Sequence, residues 1–513
     1  MPSRRLAVIV GSTGVLLLAG TVRLAVSSIS RGERVEAHFP MSAPVRSATK
    51  NDPPNPLPLN ALEPRTSWMG LYIQKKKVGW GRFALKRLTA SGGSERYRME
   101  QFTYMNVATM GVSQESRINF TLDFTSDLQP LSYTFSLEAP GFWTKSKGEV
   151  HEGVLKTRIS APGGDREYEF SIDSGVDLFG LSELREAIDG YEVGKKVSGE
   201  IFEPNVFGVV PYSFKVLAEE SVRVGDAVET AYRIHSVIRD VVTESLVLPN
   251  GDILRSEGPM GIVMVREPEA VAKKMDAGTD LTDLVFKFSI PAETSIPDFE
   301  DVRRVRMSVT MEGGILADSG ASQRVFLRGD TRAEVEMDVI HPYRVSLTEE
   351  EREKWTAPTP FLQADDPRVR EKAREITKGA GSDWEKVTRV VHWVYQNVEK
   401  VPAFTLPSTV DVLESMRGDC NEHAALVGGL VRSLGIPCRT AAGVVFLQGA
   451  FFYHAWNEVY LGGTWKPVDA TFDQIPANAL RLRMITGSLD RQVGIAAAVG
   501  RTKIEVESIS REP

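Results

Sequence analysis

A stretch of some fifty residues, Gly418 to Thr471, dictates a helix followed by a hairpin and leaves the chain little choice of fold around them. Ala424, Leu426, Val427, Leu430, Val431 and Leu434 recur at helical spacing. Gly435-Ile436-Pro437 then ends the helix, since glycine takes the left-handed cap and proline cannot continue it. Phe451 to Tyr460 is aromatic and alternating, as strands are. Leu461-Gly462-Gly463-Thr464 is a turn, and Trp465 to Thr471 reads as the return strand. With Gly462-Gly463 as a two-residue loop, Leu461 pairs with Thr464 and Trp456 falls opposite Asp469. His454 shares the face of Trp456 and is the diagonal neighbour of Asp469, with Cβ atoms roughly 7–8 Å apart or a little less.

Three side chains in this stretch carry chemistry. Cys420 opens the helix, where unpaired N–H groups and the macrodipole favour an anion, so its thiol pKa is expected to fall. Its neighbours Asp419, Asn421 and Glu422 are polar, unlike those of a cysteine that merely packs a core. A carboxylate beside an imidazole fixes its tautomer and stabilises the imidazolium. Cys420, His454 and Asp469 therefore read as nucleophile, base and orienter. His423 lies three residues after Cys420 and can approach the thiol, but the pattern places no carboxylate beside it, and it reads as a structural histidine. A zinc site from Cys420, His423, Cys438 and His454 fits no closed zinc spacing. No metal or other cofactor is implied.

In these residues and their order, the segment resembles the transglutaminase-like superfamily in its bacterial form. The matching blocks are Val410-Asp411-Val412-Leu413, Gly418-Asp419-Cys420-Asn421-Glu422-His423, Leu434-Gly435-Ile436-Pro437, His454-Ala455-Trp456-Asn457-Glu458-Val459 and Trp465 through Gln474. The resemblance covers roughly residues 365–488. It implies a papain-like α+β core with Cys420 as nucleophile, His454 as base and Asp469 as orienter. Cys438 departs from the small residue usual after Gly-Ile-Pro and reads as a buried strand cysteine. Nothing matches the calcium-binding loops of the animal cross-linking enzymes.

The remainder of the 513 residues holds two or three domains' worth of chain. A formal charge of −7, from 61 basic against 68 acidic residues, gives no case for a nucleic-acid partner. Two cysteines give no disulfide framework. The basic start Met1-Pro2-Ser3-Arg4-Arg5 precedes an apolar run from Leu6 to Gly20. Residues 1–27 therefore read as a signal peptide or an uncleaved membrane anchor, with the rest exported, facing the periplasm or secreted. No cysteine follows the run, which argues against a lipoprotein anchor.

Residues 28–66 form a proline-rich linker, with Pro53, Pro54, Pro56, Pro58 and Pro64 favouring an extended spacer. Residues 67–274 read as an antiparallel, curved, β-rich domain or half-barrel with one solvated face. Ile118, Phe120, Leu122 and Phe124 alternate with polar residues there, and Lys75-Lys76-Lys77 reads as a solvated hairpin turn. Only Leu181 to Ile188 and Glu267 to Lys274 look helical. The region has no titratable cluster and is expected to fold without contributing to the site.

A second β-rich segment spans 281–345, the transglutaminase-like domain 360–488, and a tail 489–513 that returns to strand at Lys503 to Val506. Helices are expected over Asp366–Thr377 and Asp383–Val398, the latter opened by a Ser382/Glu385 capping box. A short helix starts at Ser408 with Asp411 three later, and His392 has no evident partner. A Cys–His–Asp set forms a thioester with an acyl group. Water as acceptor makes a peptidase or amidase acting on protein or peptide, an amine makes a cross-linking transamidase, and a set without turnover leaves an envelope binding module.

Overall fold

The computed structural model describes residues 46–47 and most of 62–512, the longer exceptions being 89–94, 276–288, 402–407 and 488–500 with Ile495 aside. The apolar leader, most of the linker and the start of the second β-rich segment lie outside the described residues. Among the described residues no helix is long and apolar enough to cross a membrane.

The strand alternation of the N-terminal region builds one large sheet. Eight strands from Arg65–Ile73 to Gly164–Ser171 pair in chain order. A second run, from Lys196–Glu203 to Ile262–Arg266, pairs likewise and returns to the first strand, with Met264 opposite Leu71. All pairings are antiparallel except that of Val176–Leu178 with Lys196–Glu203. Gly164–Ser171 and Val176–Leu178 form the two edges, close in sequence, and the ring of Phe170 in the first lies 5.0 Å from that of Phe202 in Lys196–Glu203, the strand next to the second. The sheet thus curls round a large apolar core that takes in Ile118, Phe120, Leu122 and Phe124, while Val222, Ala231, Leu246 and Leu254 form a smaller buried cluster on its other face. Helix α1 (Leu181–Asp189) adds Leu181, Leu184 and Ala187 to that core, and α2 is the short turn Glu269–Ala272.

One lysine departs from expectation. Lys75 sits in the solvated turn with φ 72°, but Lys77 is buried, its ammonium donating to Glu267 Oε2 and the Val271 carbonyl, each at 2.7 Å. A charge withdrawn from water needs such partners.

A four-stranded sheet follows, ordered Gln323–Leu327, Arg332–Asp338, Arg304–Met311 and Thr502–Ser510. The tail strand is longer than its sequence suggested. This sheet shares a core with Ala442, Val444, Phe446 and Leu482.

The C-terminal α+β region opens with α3 (Glu349–Thr356), which buries no residue and so shows no apolar periodicity to read. Helices α4 (Pro367–Ile376), α5 (Asp383–Asn397), α6 (Thr409–Ser415) and α7 (Cys420–Ser433) follow. Ser382 caps α5 by accepting the Glu385 N–H at 3.2 Å, but the Glu385 carboxylate turns to the Gly381 N–H, so the expected box is only half made. The strands run Ile290–Pro291, Ala450–Tyr460, Cys438–Leu447 and Arg481–Thr486, with Trp465–Val468 pairing Ala450–Tyr460. Leu426, Val427, Leu430 and Val431 of α7 pack against Cys438, Val459 and Val468 of this sheet.

The two regions meet through a hairpin tip. The N–H of Gly163, between two strands of the large sheet, donates to Asp411 Oδ1 at 2.6 Å, and Arg166 reaches Oδ2 at 3.2 Å. A Cβ at Gly163 would stand 2.6 Å from that carboxylate oxygen, so only glycine fits. Phe361 also packs into the core of the large sheet. Thr409 of α6 donates its N–H to the Phe361 carbonyl and its hydroxyl to the Ala425 carbonyl in α7. The large sheet is therefore tied to the Cys420 helix, which limits the independence expected of it. Asp411→Ala is expected to destabilise the protein by about 2 to 3 kcal/mol, because it strands a buried N–H and a guanidinium. A urea midpoint equal to wild type would show that this contact is not a structural tie.

Candidate active site

Local rules place each of the three residues. Asp419 caps α7, accepting the Asn421 N–H at 2.9 Å, while Glu422 folds back to accept the Asp419 N–H at 2.8 Å. This reciprocal box fixes Cys420 as the first helical residue. Gly418 adopts φ 156°, and a Cβ there would lie 2.3 Å from the Glu422 side chain. On the hairpin, Gly462 and Gly463 both take positive φ (65° and 80°), and the Leu461 N–H donates to the Thr464 carbonyl at 3.0 Å. The ladder then runs to Asn457 opposite Val468, one step from the expected Trp456–Asp469 level.

His454 and Asp469 meet as that register requires. The His454 Nε2–H donates to Asp469 Oδ2 at 2.7 Å, and both side chains are essentially sealed from solvent. With Nε2 bound, Nδ1 is left as the acceptor, and it has no hydrogen-bond partner among the described residues. The Cys420 sulfur accepts the N–H of Ala455, the residue after His454, and lies 3.6 Å from Asn421 Nδ2. Tyr453 and Ala455 pack round it. Trp456 stacks on the His454 ring (centroids 6.2 Å, planes 15° apart) and Phe472 covers it at 5.0 Å. Cys420, His454 and Asp469 are thus gathered into one enclosed place.

Enclosure changes the electrostatics expected of Cys420. Burial pushes its thiol well up, Asp419, Glu422 and Asp469 push the same way, and the Ala455 N–H opposes them. The helix start was expected to lower it, and desolvation outweighs that effect. Burial also pushes the Asp469 carboxyl up, but His454, Arg481 and the Thr471 N–H together hold it well below the usual range. Cys438 is wholly buried in its strand, as read, and burial pushes its thiol up to about 12.

His423 stands apart from this arrangement. Its Nδ1–H donates to the Asp419 carbonyl at 2.7 Å and its Nε2 has no partner among the described residues. Burial lowers its pKa to about 4, with Lys400 adding to the effect and the Asp419 carbonyl opposing it. The unfolded chain, with an ordinary histidine near 6.5, binds the proton first as pH falls. Stability from this group is therefore full above about 6.5 and lost progressively down to about 4. Between pH 7 and 4.5 the loss is expected to be about 2 to 3 kcal/mol. His423→Gln should flatten that arm of the urea-midpoint profile, and an identical slope in both proteins would contradict a buried neutral imidazole.

Two further partners escaped sequence reasoning. His392, on α5, donates its Nδ1–H to Asp473 Oδ2 at 2.9 Å. Arg481, wholly buried, donates to Asp469 Oδ2 at 2.7 Å through Nη1 and to Gln474 Oε1 at 2.6 Å through Nη2. Its signal was available: Arg481-Leu482-Arg483-Met484-Ile485 places two arginines in an otherwise apolar strand, and buried cations demand acids.

The sequence profile described as the transglutaminase-like superfamily matches residues 370–470. The chain is 28% identical over 112 residues to the human kyphoscoliosis peptidase, covering 19% of this chain and 17% of that protein. The mouse counterpart is 29% identical over 118 residues, covering 20% and 18%. The chain spans about a sixth of the length of these curated relatives. Among solved structures, the periplasmic domain of TgpA from Pseudomonas aeruginosa aligns at 16% identity and TM-score 0.26, over 41% of this chain and 91% of that one. A β-barrel-like protein from Brucella abortus aligns at 11% identity and TM-score 0.30, over 40% and 95%.

Proposed function

Because the C-terminal part of the chain is a transglutaminase-like domain, we propose that the protein is a cysteine-dependent acyl-transfer enzyme that hydrolyses amide bonds of a protein or peptide. One observation carries the reading: His454 spends Nε2–H on Asp469 and keeps Nδ1 unengaged, while the sulfur of Cys420 is held by the N–H of the next residue, Ala455. In this scheme Cys420 Sγ attacks the acyl carbon as its proton passes to His454 Nδ1. Asp469 keeps the ring's tautomer and stabilises the imidazolium. The Cys420 N–H, free at the helix start, is the oxyanion donor. Collapse breaks the C–N bond, the imidazolium protonates the leaving amine, and a thioester remains. Water then gives up a proton to Nδ1, attacks the thioester and releases the acid and the thiol. Both Cys420 and His454 are enclosed, so substrate reaches the sulfur only after a neighbouring side chain moves.

Export rests on the basic start and the apolar run of residues 6–20. An alkaline-phosphatase fusion after residue 66 should be active, and an inactive one would remove the envelope from the reading. The choice of water over amine follows from the lack of any match to calcium-binding loops and from the exported location. Partitioning tests it: offer an acyl-amide peptide with a primary amine at millimolar concentration and quantify free acid against adduct. Free acid should dominate. Predominant adduct would make the protein a transamidase, and neither product, with Cys420 unlabelled by an acyl probe, would leave a binding module.

A further inference from the structure

Arg481 has no part in the scheme above, yet it is a wholly buried cation bonded to that scheme's carboxylate. Its Nη1 and the Nε2 of His454 meet on one oxygen, Asp469 Oδ2, both at 2.7 Å. The other oxygen, Oδ1, accepts the Thr471 N–H at 2.9 Å. The guanidinium is itself fixed: Nη2 bonds Gln474 Oε1, and Gln474 is bridged to Asp469 by two backbone hydrogen bonds of 3.0 Å. Trp456 and Phe472, the two rings that sandwich His454, also flank the guanidinium, at 5.6 and 5.8 Å. Arginine, carboxylate and imidazole thus form a row with the hydrophobic walls in common.

We propose that Arg481 is a positioning residue of the Cys420–His454–Asp469 set: it locks the carboxylate in place and shares its charge, so that Cys420 rests as a thiol rather than as a thiolate paired with an imidazolium. The physical reason is competition for one oxygen. An imidazolium gains most from Asp469 when that carboxylate is otherwise uncompensated, and a cation already on Oδ2 reduces that gain and repels the new positive charge. Other charged groups round the set act on the same proton. Asp419 and Glu422, at the start of α7, disfavour a thiolate, and Lys400, near Asp469 and His423, adds positive charge. None of these is bonded to Asp469 as Arg481 is. The proton moves from Sγ to Nδ1 only as the acyl carbon arrives, so the S–H bond breaks while S–C forms. A resting thiol in an oxidising envelope is also less readily oxidised than a thiolate.

The inference deepens the acyl-transfer reading and rests on it, but its test does not need turnover. Thiolate formation at Cys420 is followed by absorbance near 240 nm and by iodoacetamide labelling against pH, in wild type, Arg481→Gln and Arg481→Lys, each with Cys438→Ala as background. Arg481→Gln removes the charge and keeps a donor, and its midpoint should fall by about one pH unit or more. Arg481→Lys keeps the charge, and its midpoint should stay at the wild-type value, while amide hydrolysis falls about tenfold because the fork to Gln474 is lost. An unchanged midpoint in a folded Arg481→Gln protein, or equal shifts in both variants, would overturn the proposal. If Arg481→Gln does not fold, Arg481→Lys decides alone: a displaced midpoint refutes it. Loss of the acyl-transfer reading would show differently, as amide hydrolysis that survives Cys420→Ser.

Discussion

Cys420→Ser is expected to abolish turnover, with a loss in kcat on the order of 10⁶-fold. The hydroxyl is smaller and its proton is held far more tightly than that of the thiol. Stability should hardly change, since sulfur and oxygen fill much the same enclosed space and the Ala455 N–H keeps an acceptor. The measurement is amide hydrolysis beside a urea midpoint on the same sample. A serine variant that folds and keeps more than about one-hundredth of the rate would exclude Cys420 as nucleophile.

Asp469→Asn is expected to act on both rate and stability, and for different reasons. The amide can offer N–H as well as C=O to His454, so the tautomer with Nδ1 free is no longer enforced, and kcat should fall by about 10⁴-fold. Arg481, wholly buried beside it, loses its only ionic partner among the described residues. Breaking a buried pair on one side costs about 3 to 5 kcal/mol. The wild-type carboxyl is held below its ordinary value, so its contribution is present above the unfolded value near 3.9 and is lost as pH falls below it. The variant should therefore be weaker at pH 7 and lose less on acidification below pH 4. A double replacement with Arg481→Met separates the two effects: it should restore much of the stability and none of the rate. Recovery of rate in the double variant would mean that Asp469 acts only by balancing Arg481.

What was legible in the sequence was local. The start and stop of α7, the two-residue turn and the level at which His454 meets Asp469 all follow from residues within about twenty positions of one another. The alternation of Ile118 to Phe124 likewise gave the buried face of a strand without its neighbours being known. The illegible parts depend on enclosure or on distant residues. A helix start was visible at Cys420, but the desolvation that reverses its effect comes from Ala424, Tyr453 and Ala455 closing over it. Asp411 read as a capping residue, and it does sit at the start of α6, yet its carboxylate serves Gly163 and Arg166, some 245 residues away. His392 found Asp473 across 81 residues. No period or propensity encodes such meetings.

The strand Thr502–Ser510 has a consequence for the order in which the protein comes into being. It pairs along the whole of Arg304–Met311, from Arg304 with Ser510 to Met311 with Thr502, two segments made some two hundred residues apart. Its Ile504 shares a core with Val444 and Leu482, which flank the strand carrying His454 or lie one strand beyond. During synthesis the layer beneath that sheet stays open until the residues from 502 to 510 have left the ribosome, and long-range pairing of this kind closes slowly. Chains stalled before residue 502 should leave the Cys420 segment open to protease, whereas chains extended past 510 should protect it. The enclosed thiol is then assembled late, at a moment when every strand of the large curved sheet has long been made.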